Sequence, residues 1–242
     1  MDFIARFGSR KKGIILESTG AGVALLDYDL DGDLDLCVVS YWGEHQGNRL
    51  FRNNGDETFT DVTDVALGMG VFEVWGFQPA FVDMNGDRYP ELLISADYET
   101  SRYLVNNADG TFTDMTVASG TGLDDNGMGQ AVGDFDNDGL LDWYVSSIHQ
   151  LIPPPGHNSG NMLYVAQGSH CYVESSVATG TNDGGWGWGT VTVDLDNDTW
   201  LDIVEVKGRP AKGGEWINEP GKLFHNDGDG TFTEMAAATG FD

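Results

Sequence analysis

A nine-residue acidic stretch returns four times along this chain, at intervals of 56, 51 and 60 residues. The copies are DYDLDGDLD from Asp27, DMNGDRYPE from Asp83, DFDNDGLLD from Asp134 and DLDNDTWLD from Asp194. A second signature follows each one: NRLFRNNGDETFTDVT from Asn48, SRYLVNNADGTFTDMT from Ser101, NMLYVAQGSHCYVESS from Asn161 and GKLFHNDGDGTFTEMA from Gly221. Two motifs kept in order and in step require an array of like units, each burying its apolar face against the next.

Apolar and β-branched runs flank every acidic stretch and every NNGDG-like turn, so each unit reads as four short strands. In the first unit these are GVALL, LCVVS, RLFR and TFTDVT. Asn54-Gly55, Asp109-Gly110 and Asp229-Gly230 are tight-turn pairs, which makes consecutive strands antiparallel. Units of this length with four antiparallel strands are propeller blades, so the expected fold is an all-β β-propeller. The expected units are residues 21–70, 71–122, 123–182 and 183–242 of a single domain. Lys11 to Gly20 reads as the last strand of a preceding blade. A fragment of a longer propeller is therefore expected, with a closed four-bladed ring as the alternative. No helix of ten residues or more is expected.

The acidic stretches have the chemistry of calcium loops. In D-x-D-x-D-G-x-x-D, carboxylates at positions one, three and five turn toward one point, and a carbonyl at seven and an acid at nine complete an oxygen shell. Such a shell suits calcium rather than magnesium, which keeps its waters, or zinc, which prefers nitrogen and sulfur. The expected ligands are Asp27, Asp29, Asp31, Asp33 and Asp35 in the first loop and Asp83, Asn85, Asp87, Tyr89 and Glu91 in the second. In the third they are Asp134, Asp136, Asp138, Leu140 and Asp142, and in the fourth Asp194, Asp196, Asp198, Trp200 and Asp202. Asp33, Tyr89, Leu140 and Trp200, at position seven, would act through their carbonyls. Glycine at position six permits a left-handed bend. Gly32 and Gly139 supply it, whereas Arg88 and Thr199 do not. The first and third sites are thus expected to be tightest, the second weakest and the fourth intermediate. These are not EF-hand loops, which need a bidentate glutamate at position twelve between helices. Only Glu205 meets that position, and it lies in a strand-like run.

Charge points the same way. The formal net charge of −27 repels a phosphate backbone or an anionic membrane, so neither a nucleic-acid partner nor membrane insertion is expected. Bound cations would neutralise the clustered acids. Cys37 and Cys171, the two cysteines, form no disulfide framework and are expected as buried free thiols. The opening MDFIARFGSRKK lacks the apolar core of a secretory signal, so targeting information is expected to be missing or to lie outside this fragment.

GMGQAVGDFDNDGLLD combined with NNADGTFTDMT resembles FG-GAP or VCBS repeats of the integrin alpha propeller and, more closely, ASPIC/UnbV (cartilage acidic protein-like) repeats. The resemblance covers nearly the whole chain. It implies a propeller, usually seven-bladed, with calcium between the first and second strands of a blade, and an extracellular, periplasmic or cell-surface protein of adhesion or ligand binding. Departures at Arg88, Glu91 and Thr199 bear on the second and fourth sites.

Antiparallel blades send the calcium loops to one face and the second-to-third connections to the other. That other face collects Trp42, Trp75, Trp186, Trp188 and Trp216. Trp75, Trp186 and Trp188 are expected to pack between blades, leaving Trp42 and Trp216 as candidate ligand contacts. His45, His149 and His157 come from this face without ligand spacing. Ser169-His170 is the one adjacent Ser-His pair and lacks a third member. The expected function is a calcium-dependent scaffold that binds a protein; a calcium-dependent lectin-like module is the alternative, and a propeller hydrolase comes third. Affinities of about 10⁻⁴ to 10⁻³ M, typical of extracellular calcium modules, would leave such sites empty in a cytosol.

Overall fold

A computed structural model describes residues 22–40, 47–207 and 220–241. The chain forms two compact units, Met1–Val117 and Ala118–Asp242, each containing two four-stranded antiparallel sheets. In the first unit, one sheet comprises β1 (Gly22–Leu26), β2 (Asp35–Val39), β3 (Arg49–Asn53) and β4 (Phe59–Asp61). The other comprises β5 (Trp75–Val82), β6 (Glu91–Asp97), β7 (Arg102–Asn106) and β8 (Phe112–Asp114). The second unit repeats this plan with β9 (Gly129–Gly133), β10 (Asp142–Ser146), β11 (Met162–Ala166) and β12 (Tyr172–Glu174). Its second sheet is β13 (Gly187–Val193), β14 (Asp202–Lys207), β15 (Lys222–Asn226) and β16 (Phe232–Glu234). Every sheet is a meander, the form of a propeller blade, and all pairings are antiparallel as the turn chemistry requires.

Blades stack through their first strands, β1 on β5 and β9 on β13. Close approach needs bare backbone: a β-carbon at Gly22 would collide with the Phe77 carbonyl, and one at Gly129 with the Trp188 carbonyl. The partners differ in kind. β5 and β13 carry register shifts, between Gly76 and Gln78 and between Gly187 and Thr190, whereas β1 and β9 pair without one.

In the first and third acidic loops the residue at position two enters the core between stacked blades. Tyr28 packs against Phe112 and Phe81, at 5.6 and 6.4 Å between ring centroids, beside Leu50, Leu92 and Leu104. Phe135 meets Phe232 edge-on at 6.1 Å, beside Tyr144, Leu163 and Ile203. Each of these two loops is thereby pinned by an aromatic anchor of about 1.5–3 kcal/mol.

Two features depart from the sequence reading. Helical turns of four residues follow the fourth strands: α1 (Thr63–Ala66), α2 (Thr116–Ser119), α3 (Ser176–Thr179) and α4 (Ala236–Thr239). TFTDVT is therefore strand only at Phe59–Asp61; Asp61 Oδ1 then accepts the Thr63 N–H at 3.1 Å and starts the turn, as Asp114 does for Thr116 at 3.0 Å. Cys171 is exposed, not buried, because left-handed Ser169 and His170 curl the β11–β12 turn and leave it at the rim; Cys37 is buried. The preceding-blade strand over 11–20 lies outside the described residues.

Candidate functional site: the acidic loops

Each acidic loop joins a first strand to a second, and its position-nine acid is the first residue of that second strand. Four kinds of hydrogen bond hold the curl. The position-one carboxylate accepts two backbone N–H groups: Asp27 takes those of Asp31 and Gly32 at 3.0 and 2.9 Å, and Asp134 those of Asp138 and Gly139 at 3.1 and 2.9 Å. Asp194 does the same with Asp198 and Thr199 at 3.1 and 3.0 Å, and Asp83 accepts three, from Gly86, Asp87 and Arg88, at 2.8 to 3.0 Å. Position five accepts from position seven, as in Asp31 with Asp33 at 3.0 Å and Asp198 with Trp200 at 2.9 Å. Position nine accepts from position two, as in Asp35 with Tyr28 at 3.0 Å. Its other oxygen takes the N–H ending the third strand: Asn53 for Asp35, Ala166 for Asp142 and Asn226 for Asp202, at 2.8 to 2.9 Å.

The curl needs left-handed backbone twice, at positions four and six. Position six is Gly32 (φ 99°), Arg88 (78°), Gly139 (90°) and Thr199 (81°). Position four is Leu30 (61°), Gly86 (76°), Asn137 (56°) and Asn197 (62°). The second loop has its glycine at position four instead of six, so its strain is displaced rather than added. The fourth loop has no glycine at either place, and its β-branched Thr199 is the most strained of the set.

Three loops bring carboxylate oxygens within 4.8 Å of one another: Asp27, Asp29 and Asp35; Asp134, Asp136 and Asp142; Asp194, Asp196 and Asp198. His225 joins Asp196 and Asp202 in a further group of the same tightness. In the first and third loops the position-five acids, Asp31 and Asp138, serve the backbone beside these clusters. The Asp33 side chain leans toward the β3–β4 turn at Gly55. Asp83, Asp87 and Glu91 form no such group among the described residues. There Asn85 donates to Asp87 at 3.0 Å, and Glu91 is fully buried with Oε2 accepting the Met84 N–H and Oε1 without a hydrogen-bond partner.

Burial and neighbouring carboxylates act on these groups together. Burial pushes Asp35 up to about 6 and Asp142 and Glu91 up to about 7, and it raises Asp29 and Asp136 as well. Arg52, beside the first loop, offsets a small part of the rise at Asp29. Oxygen-only clusters whose acids resist ionisation fit a divalent hard cation, which would hold them charged.

The opposite end of the second unit has a cavity of about 390 Å³, lined by Leu123, His149, Gln150, His157, Asn158 and Asn182 among others. The β10–β11 connection brings His149 and His157 to the same wall. Asp125 holds Nδ1 of His157 at 3.0 Å, and Asp183 holds that of His149 at 3.2 Å. Trp75, Trp186 and Trp188 are half-buried, and Trp75 packs edge-on against Tyr98 at 5.6 Å. Trp42, Trp216 and His45 lie outside the described residues. Ser169 and His170 belong to the β11–β12 turn, away from the β10–β11 end.

Residues 27–94 and 83–145 match the FG-GAP-like repeat family. Residues 27–145 carry FG-GAP-like repeats. Among curated proteins they are similar to cartilage acidic protein 1 of Xenopus tropicalis, with 26% identity over 142 residues, covering 56% of this chain and 22% of that one. The chain spans about a fifth of that relative's length. Among solved structures, an Agrocybe aegerita lectin described as recognising non-reducing terminal N-acetylglucosamine aligns with 88% of this chain and 50% of its own, at 17% identity and a TM-score of 0.47. A Bacillus subtilis arabinoxylan arabinofuranohydrolase of glycoside hydrolase family 43, in complex with cellotetraose, aligns with 78% of this chain and 43% of its own, at 14% identity and a TM-score of 0.37. The loops of these FG-GAP-like repeats include every acidic cluster described above except the fourth, which lies beyond the matched residues.

Proposed function

We propose that the chain is a calcium-binding propeller scaffold that presents a partner-binding face outside the cytosol. The clustering of Asp134, Asp136 and Asp142 oxygens within 4.8 Å carries this reading, repeated by Asp27, Asp29 and Asp35. Asp134, Asp136 and Asp142 would supply carboxylate oxygens, and calcium would supply the charge that keeps them ionised. The third loop is the tightest in this reading, because Val165 stands where Arg52 places a competing positive charge beside the first. The second loop is the weakest, for want of a cluster. Blades with such sites support protein binding or adhesion in an extracellular, periplasmic or cell-surface setting, and the exposed Val23 and Leu25 of β1 suit stacking by a further blade. Calorimetric titration of calcium into the chain and into Asp136→Ala tests the reading: the variant should lose one ion. Equal isotherms, or no heat in either, would overturn it.

A second reading, a calcium-dependent glycan-binding module, is favoured by the cavity of about 390 Å³. Its imidazole and amide groups over Leu123 suit a hydroxyl-rich ligand, and its size suits a small one. A glycan array probed with the chain and with Asn182→Ala separates the two: sugar retention lost in the variant supports the lectin, and a blank array supports the protein scaffold.

A further inference from the structure

We propose that the fourth acidic loop is a site for a zinc-class ion rather than calcium, selected by His225. This rests on the reading of the acidic loops as metal sites and departs from it in the ion.

Antiparallel pairing sets one third-strand side chain beside the position-nine acid in every blade. Leu36 pairs with Phe51, Leu92 with Leu104, Trp143 with Tyr164 and Ile203 with Phe224. One step further along each ladder, Asp35, Glu91, Asp142 and Asp202 stand opposite Arg52, Val105, Val165 and His225. A guanidinium in the first blade and valines in the next two give nothing to a cation. The imidazole in the fourth gives a nitrogen donor.

The geometry is that of a mixed donor set. His225 Nδ1 lies 3.1 Å from Asp202 Oδ1 and 4.0 Å from Asp196 Oδ2. Donors on a tetrahedral zinc, with bonds of about 2.0–2.1 Å, stand about 3.3 Å apart. Asp202 is 1% exposed and held by the Leu195 and Asn226 N–H groups at 3.0 and 2.9 Å, so it is oriented before any ion arrives. Asp196, 53% exposed, and His225, 25% exposed, leave the ion a way in from solvent. Imidazole with two carboxylates suits zinc, cobalt or nickel, whereas calcium takes six to eight oxygens.

The test uses cobalt(II) as a visible probe and zinc as competitor, in excess calcium near neutral pH, on the full chain and on His225→Val. Valine copies Val105 and Val165, so the variant should fold, and circular dichroism with a thermal melt verifies this. The chain should bind one cobalt with d–d absorption that zinc abolishes, and H225V should bind it at least tenfold more weakly with its calcium isotherm unchanged. Equal cobalt affinity and spectrum in H225V would overturn the proposal, and ions held instead by the His149 or His157 pairs would give that result. Loss of calcium binding in D136A together with an unaltered cobalt spectrum in H225V sinks this inference alone. Cobalt uptake that depends on His225 in a chain indifferent to calcium sinks the calcium reading alone.

Discussion

Asn106 donates its side-chain amide to the Tyr28 carbonyl at 2.9 Å, so the end of one blade's third strand holds the acidic loop of the blade before it. The same amide reaches Pro90 in its own loop at 3.2 Å. Asn226 repeats both bonds in the second unit, to Phe135 at 2.8 Å and to Leu201 at 3.2 Å. Truncating either asparagine leaves two carbonyls short of a donor. Asn106→Ala and Asn226→Ala should each cost about 1–3 kcal/mol in denaturant unfolding, and each should weaken calcium or zinc-class binding in its unit. A change below the error of the melt would show the bonds to be incidental.

Chelation should lower stability. An ion that binds only the folded chain, present at a hundred times its Kd, contributes about 2.7 kcal/mol. A domain of this size shifts by about 2–4 °C per kcal/mol. Differential scanning calorimetry in EDTA should therefore give a lower Tm that calcium restores in a concentration-dependent way, whereas magnesium at equal concentration should restore little.

Backbone strain at the fourth loop should be recoverable. Thr199 holds φ at 81°, where a β-branched residue pays about 1–2 kcal/mol. Glycine relieves that and gives back about 0.5–1 kcal/mol in unfolded-chain entropy. Thr199→Gly should thus raise stability by roughly 0.5–1 kcal/mol. Gly139→Thr, at the same place in the third loop, should lower it by a similar or larger amount. Both are read by urea unfolding.

Glu205 predicts a pH dependence independent of the loops. It is fully buried in β14, accepts the Tyr144 hydroxyl at 2.8 Å and faces the Lys207 ammonium at 3.3 Å. Burial pushes it up to about 7 even against that ammonium. An unfolded glutamate titrates near 4.3, so between these values the folded chain keeps a proton that the unfolded chain has released. Its contribution is therefore most favourable below about pH 4.3 and is lost as pH rises through about 7. Glu205→Gln removes the titration and keeps an acceptor for Tyr144. The Tm of the variant minus that of the parent, measured in EDTA, should climb from pH 5 to pH 8; a flat difference would mean that Glu205 stays ionised throughout.

The blades were legible because apolar alternation and acids in register both report on backbone geometry. Other features leave no such trace. Leu30 gives no sign that position four of its loop is left-handed, since leucine rarely adopts that conformation and does so here because Asp27 and Asp29 hold the next N–H groups. Four-residue helical turns are too short for a period, so TFTDVT reads as strand to its end. His225 lies 23 residues from Asp202, and only the pairing of β14 with β15 brings them together. The shared cavity of His149 and His157 depends on how the β10–β11 connection folds back, which residue spacing does not encode.

The register shifts in β5 and β13 fall in alternate blades, each stacked on a first strand that has none. Within either unit a kinked strand thus meets a smooth one, never one of its own sort. The couplet of unlike blades, rather than the single module, is the element that this chain carries twice.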